Sequence, residues 1–181
     1  VNAETLETAL RRQAREVLRH YLKQIDALGA ELAISTTLAE VSPGLARLAK
    51  ASGDTSLSRA DEPYRRAMTM MYARTAGTFE ALTGRRYSPG PAVEAPAYEH
   101  PSELVNDLKI VAQSLQAHGG GLMCKGPLND LISAVETFGF HLASLDMRQN
   151  ADVHARVIAE LLAKAAVEQD YEALDERARI D

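Results

Sequence analysis

Tryptophan is absent from these 181 residues, phenylalanine occurs three times and cysteine once. Aromatics make up only 5% of the chain, so aromatic stacking platforms are scarce. The single Cys124 excludes an intrachain disulfide and fits a reducing, cytoplasmic compartment. Alone it cannot build a cysteine-based zinc site. No apolar run approaches the roughly 18–20 residues of a membrane span, so no membrane partner is expected. Positive charge is also short, with 20 Lys and Arg against 25 Asp and Glu and a net charge of −5. That balance speaks against nonspecific binding to nucleic acid or anionic lipid, while leaving room for a local anion pocket. The opening VNAETLETAL has neither Met nor a signal-peptide pattern and enters a helical pattern almost at once. The expectation is a single internal piece of a longer polypeptide.

What is present is helical periodicity. Apolar residues are 46% of the chain and charged residues 25%, the mix of a globular protein that can bury a sizeable core. From about Ala3 to Leu32, apolar side chains at Leu6, Leu10, Val17, Leu18, Tyr21, Leu22, Ile25, Leu28 and Leu32 recur in steps of three and four, with Asn2 as N-cap. Ser42 and Pro43 open a short helix through Lys50, and ASGDTSLSRAD reads as a loop. Asp61 is placed to cap a second long helix with Pro63 in its first turn and the stripe Tyr64, Met68, Met71, Tyr72, Phe79, Leu82. Its methionines read as core filler. Arg65, Arg66 and Arg74, with Arg85 and Arg86 beyond, read as a solvated face, since acids lie close by in sequence.

Three regions follow: long helices over 1–86, a Pro-rich connector over 87–101, and a helix–strand–helix unit over 102–181. The connector lies in RRYSPGPAVEAPAYEHPSE, whose four prolines exclude helix. Beyond it a helix carries Leu104, Leu108, Val111 and Leu115 and stops at His118-Gly119-Gly120-Gly121. That triplet lacks the Gly-Lys-Ser/Thr of a phosphate loop and reads as a C-cap and tight turn, with a hinge as the functional alternative. Pro127 starts another helix, ended by Gly139. A further helix runs from about Asn150 to Ala166, and YEALDERARI reads as a last charged helix.

Between these helices, FHLASLDM is apolar or small on both alternating faces, the pattern of a strand, about 141–147, buried in a parallel sheet. A lone strand cannot satisfy its own backbone, so its partners are expected elsewhere in a longer chain. Asp146 and Arg148 share a face at its C-terminal end, where parallel α/β barrels hold their chemistry. Arg148 offers a planar fork suited to phosphate or carboxylate, and Asn150 can cap the next helix, whose N-terminus favours an anion. An internal Asp146–Arg148 ion pair is the structural alternative. His118, His141 and His154 show no ligand spacing, and His141 is expected to be satisfied in a helix–strand interface. No nucleophile–base arrangement and no acid/base carboxylate couple stands out.

ETFGFHLASLDMRQNADVH closely resembles a segment of bacterial phosphoenolpyruvate carboxylases. ELVNDLKIVAQSLQAHGGGLMCKGPLNDLISAVE is similar to the helix–turn–helix before it in that family, DEPYRRAMTMM to its Glu-Pro-Tyr-Arg helix, and VNAET to the helix after its Gly/Asp-rich loop. The resemblance covers nearly the whole chain, in order. It implies a mainly α fragment whose single strand belongs to an eight-stranded α/β barrel when the enzyme is full length. It implies carboxylation of phosphoenolpyruvate with bicarbonate, using Mg²⁺ or Mn²⁺, to give oxaloacetate and phosphate, in a homotetramer. Arg148 occupies the position of the arginine in the family's DxRQ motif that holds substrate phosphate, and Gln149 is the adjacent match. The family's catalytic histidine lies earlier. Its metal-binding carboxylates, essential lysine, mobile glycine-rich loop and aspartate-inhibitor site lie later, so this segment alone is expected to be inactive and to bind no metal. Two local departures stand out: many members have Val-Pro at Phe140-His141 and an acid at Asn150. The alternative is a free-standing helical interaction or regulatory module without catalysis.

Overall fold

Proline opens helices well because its ring presets φ near the helical value and its missing N–H would have no intrahelical acceptor in the first turn. Four helices of this protein begin that way. A computed structural model describes residues 3–144, 150–175 and 177–179, which divide into two compact units, Val1–Ala143 and Ser144–Asp181. The first unit contains α1 (Ala3–Glu31), α2 (Pro43–Ala51), α3 (Pro63–Thr83), α4 (Pro101–Ala117) and α5 (Pro127–Phe138), with a 3-10 turn at Leu57–Arg59. The second contains α6 (Ala151–Lys164) and a 3-10 turn at Tyr171–Ala173.

In the first unit α1 packs mainly along α3. Leu18, Leu22, Ile25 and Leu28 of α1 and Met68 and Met71 of α3 are at most 1% exposed, so the methionines are core, as their spacing predicts. At Gly29 the two helices are at ordinary packing distance, since a Cβ there would sit 3.5 Å from Met68 Cβ. α2 lies against α3 and α4, and α5 against α4 and α1. Ser42 caps α2 by accepting the Leu45 N–H (3.2 Å), while its own N–H donates to Ser114 Oγ of α4 (3.0 Å). Ser114 Oγ also bonds the Tyr64 hydroxyl of α3 (2.9 Å), so one buried serine ties three elements. Tyr21 reaches from α1 to donate to the Ala134 carbonyl of α5 (3.0 Å). Two ends of the α1 and α3 stripes differ from expectation: Leu10 and Leu82 are 45% and 43% exposed.

Residues 87–100 form no helix and are clamped to α3, and Pro101, expected in the connector, already opens α4. Arg74 Nε donates to the Pro96 carbonyl, the Thr78 hydroxyl to the Tyr98 carbonyl and the Tyr72 hydroxyl to the Pro89 carbonyl. Gly77 permits this, because a Cβ there would lie 3.2 Å from Ala97 Cβ. The glycine run after α4 is a turn: the Gly120 N–H donates to the Leu115 carbonyl (2.7 Å), and Gly119 adopts φ 85°.

Four expectations are corrected. Asp61 does not cap α3. Glu62 holds that position, and Asp61 instead accepts a hydrogen bond from the Ser35 hydroxyl. Among the described residues there is no strand: His141 to Ala143 form bends, and 145–147 lie outside the described residues. The physical reason is the one that made a lone strand anomalous, the lack of a partner for its ladder. His141 is exposed, since no helix–strand interface forms around it. The segment YEALDERARI is not a helix where described, but a 3-10 turn followed by a turn at 177–179. Ten residues are too few to hold a helix without packing, and Arg179 closes the segment locally by donating to the Glu172 carbonyl (2.7 Å).

Candidate functional site

The sequence-derived site residues Arg148 and Gln149, and the neighbouring Asp146, lie outside the described residues. The structure describes the chain leading to them. α5 ends where Gly139 takes φ 56°, and Phe140 then turns into the core at 8% exposure. After His141, whose N–H donates to the Phe138 carbonyl (3.1 Å), the amides of Leu142 and Ala143 both donate to Gln13 Oε1 of α1, at 3.0 and 2.8 Å. One side-chain carbonyl therefore holds two successive backbone amides of this segment, a convergence that extended strand geometry does not allow. Nothing in the sequence around Gln13 signals this role, because the contact spans 129 residues.

A second polar constellation was not legible as such. Arg74, expected on a solvated face, is buried to 18% side-chain exposure between α3, α4 and the connector. Its Nη2 donates to Glu103 (2.6 Å), its Nη1 to Asp107 (3.2 Å), and its guanidinium lies 3.9 Å from the centre of the Tyr98 ring. The Tyr98 hydroxyl donates to the same Asp107 oxygen (2.8 Å). Burial drives the Tyr98 phenol far above its ordinary range, and the adjacent Asp107 carboxylate adds to the shift. Burial likewise raises Asp107, against the pull of Tyr98 and Arg74. Glu103 is held below its usual value by the His100 N–H, with Arg74 assisting against desolvation. Every member is paired within the network, which suits fixing the connector and leaves no group directed at a substrate. The sequence signal was the Glu103/Asp107 spacing of four on α4, but their cation lies 29 and 33 residues away.

Among the described residues no group of three or more His, Cys, Asp or Glu is arranged to hold a metal ion. His118 is engaged with the Ser114 carbonyl (2.8 Å), and His154 is exposed. Cys124 is buried, its thiol raised by desolvation, and it contacts the Ala112 carbonyl. No helix among the described residues is long and apolar enough to cross a membrane.

Comparison with known proteins supplies what the local geometry does not. The profile of the family described as phosphoenolpyruvate carboxylase matches residues 1–181. A phosphoenolpyruvate carboxylase of Ralstonia nicotianae is 51% identical over 179 residues, covering 97% of this chain and 18% of that protein. Those of Rhodopseudomonas palustris and Aromatoleum aromaticum are 47% and 46% identical, covering 99% and 100% of this chain and 19% and 20% of theirs. The chain thus spans about a fifth of the length of the curated relatives it matches. With its full length matched and identity near one half, the chain belongs to the phosphoenolpyruvate carboxylase family.

Proposed function

We propose that this chain is a segment of an enzyme that carboxylates phosphoenolpyruvate with bicarbonate, giving oxaloacetate and phosphate. The observation that carries this reading is the family match along all 181 residues. Arg148 is the segment's contribution to the substrate site. It stands at the arginine of the LDMRQ motif, and a guanidinium is always charged and presents two parallel N–H donors to phosphate. Gln149 stands beside it as a weaker candidate for the same substrate.

No described cluster fits a metal. The Mg²⁺ or Mn²⁺ of the reaction goes with the family's later carboxylates in this reading, and no role of these residues passes through it. The strand of the barrel, the homotetramer and the cytoplasmic setting belong to the same reading. So does the inactivity of the segment alone, which lacks counterparts of the family's catalytic histidine and lysine.

The test is steady-state kinetics of Arg148→Ala in a full-length carboxylase carrying these residues. Losing a charge-assisted bidentate contact is expected to raise the phosphoenolpyruvate KM at least roughly tenfold or to abolish turnover. The bicarbonate KM should move far less. Unchanged phosphoenolpyruvate kinetics would remove Arg148 from the site.

A further inference from the structure

Basic side chains in this acidic chain converge at one place that the reading above does not use. A cavity of about 420 Å³ lies between the first half of α1 and the C-terminal end of α3, lined by Thr8, Arg11, Arg12, Arg15, Thr83 and Arg85. Four of its six lining residues are arginines and none is acidic, although the chain carries a net charge of −5. Positions 8, 11, 12 and 15 follow the three-and-four spacing that sets side chains on one helical face.

Arg11 is oriented before any ligand arrives. Its Nε and Nη2 both donate to Glu7 Oε1, at 2.9 and 2.7 Å. Its Nη1 lies over Gly84, where a Cβ would come within 2.9 Å of it. Arg12 and Arg85 have no side-chain hydrogen bond or ion pair among the described residues. Arg15 Nε makes no hydrogen bond, with Glu16 3.6 Å away. The carbonyl end of α3 favours cations, but a helix terminus supplies only about half an elementary charge. That falls short of compensating Arg12 and Arg85 together.

We propose that this cavity binds a small phosphate-bearing anion of two or more negative charges. The guanidinium fork matches phosphate oxygens in pairs, and the Thr8 hydroxyl adds a further donor. The cavity falls within the roughly 300–1,000 Å³ range of small-molecule sites, large enough for a diphosphate or a phosphorylated sugar. Its residues are separate from Arg148, so the site stands or falls independently of the substrate reading.

The test is calorimetric titration of inorganic pyrophosphate into a full-length carboxylase carrying these residues and Arg148→Ala, which removes the proposed substrate phosphate contact. Saturable binding is expected. Adding Arg12→Ala and Arg85→Ala should weaken it at least about tenfold, as the loss of charge-assisted contacts implies. Arg12→Lys with Arg85→Lys should restore part of it, and both pairs should keep the parent melting temperature because these side chains are exposed. Absence of saturable binding, or equal affinity with and without the two arginines, overturns the site. Succinate binding as tightly as pyrophosphate overturns its assignment to phosphate.

Discussion

Arg74 is the residue on which the connector depends. It joins α3 to two carboxylates of α4, to the Pro96 carbonyl and to the Tyr98 ring. Arg74→Met keeps much of the aliphatic bulk but leaves Asp107, at 13% side-chain exposure, with a charge answered only by the Tyr98 hydroxyl. The expected loss is about 2–3 kcal/mol, the cost of stranding a largely buried charge. Urea unfolding of the chain measures it. Adding Asp107→Asn, which removes the stranded charge, should recover part of the loss. Equal midpoints for wild type and Arg74→Met would show that the network contributes nothing. Residue identity alone did not disclose this role. An arginine among nearby acids is solvated by default, and only the fold brings Glu103 and Asp107 to it.

At the scale of elements, the seam between α1 and α3 carries much of the packing in the first unit. Leu18 is fully buried in it, whereas Leu10, on the same periodic stripe two turns earlier, is 45% exposed. Leu18→Ala should cost about 3 kcal/mol through lost transfer energy and the cavity left behind. Leu10→Ala should stay within about 0.5 kcal/mol, as exposed substitutions do. Chemical denaturation of the pair checks both, and equal costs would contradict the described seam. The helices themselves were legible: proline at the first turn of α2 to α5, the serine cap of α2 and the apolar spacing of α1 and α4 all lie within a few residues of the feature they determine. The strand at about 141–147 was read from an equally local pattern, yet its formation requires a hydrogen-bonding partner. In this chain Leu142 and Ala143 find Gln13 instead.

The molecule as a whole buries its tyrosines more than its carboxylates. Desolvation raises Tyr21, Tyr64 and Tyr98 above the ordinary value of 10.0 and pushes Tyr72 up to about 12, with Tyr87 contributing to the last. In the unfolded chain these phenols ionise near pH 10, while in the folded chain they remain protonated. Above that pH the unfolded state therefore binds fewer protons, so stability falls as pH rises; below it these groups contribute no slope. Thermal unfolding should show the melting temperature dropping once pH passes about 10. Tyr21→Phe should make the drop shallower, although it also removes the hydrogen bond to Ala134. A melting temperature flat to about pH 11 would contradict the burial of these hydroxyls.

The sequence by itself determined the family, the proline-led helix starts and the methionine core of α3, because each rests on residues adjacent in the chain or on motifs in fixed order. Tertiary structure decided the rest. It took Arg74 out of solvent and set Gln13 against two backbone amides 129 and 130 residues away. It also gathered Arg11, Arg12 and Arg15 with Arg85 around one cavity. Those pairings depend on which helix faces meet. Local pattern sets how each helix forms, and only packing sets which side chains share a space.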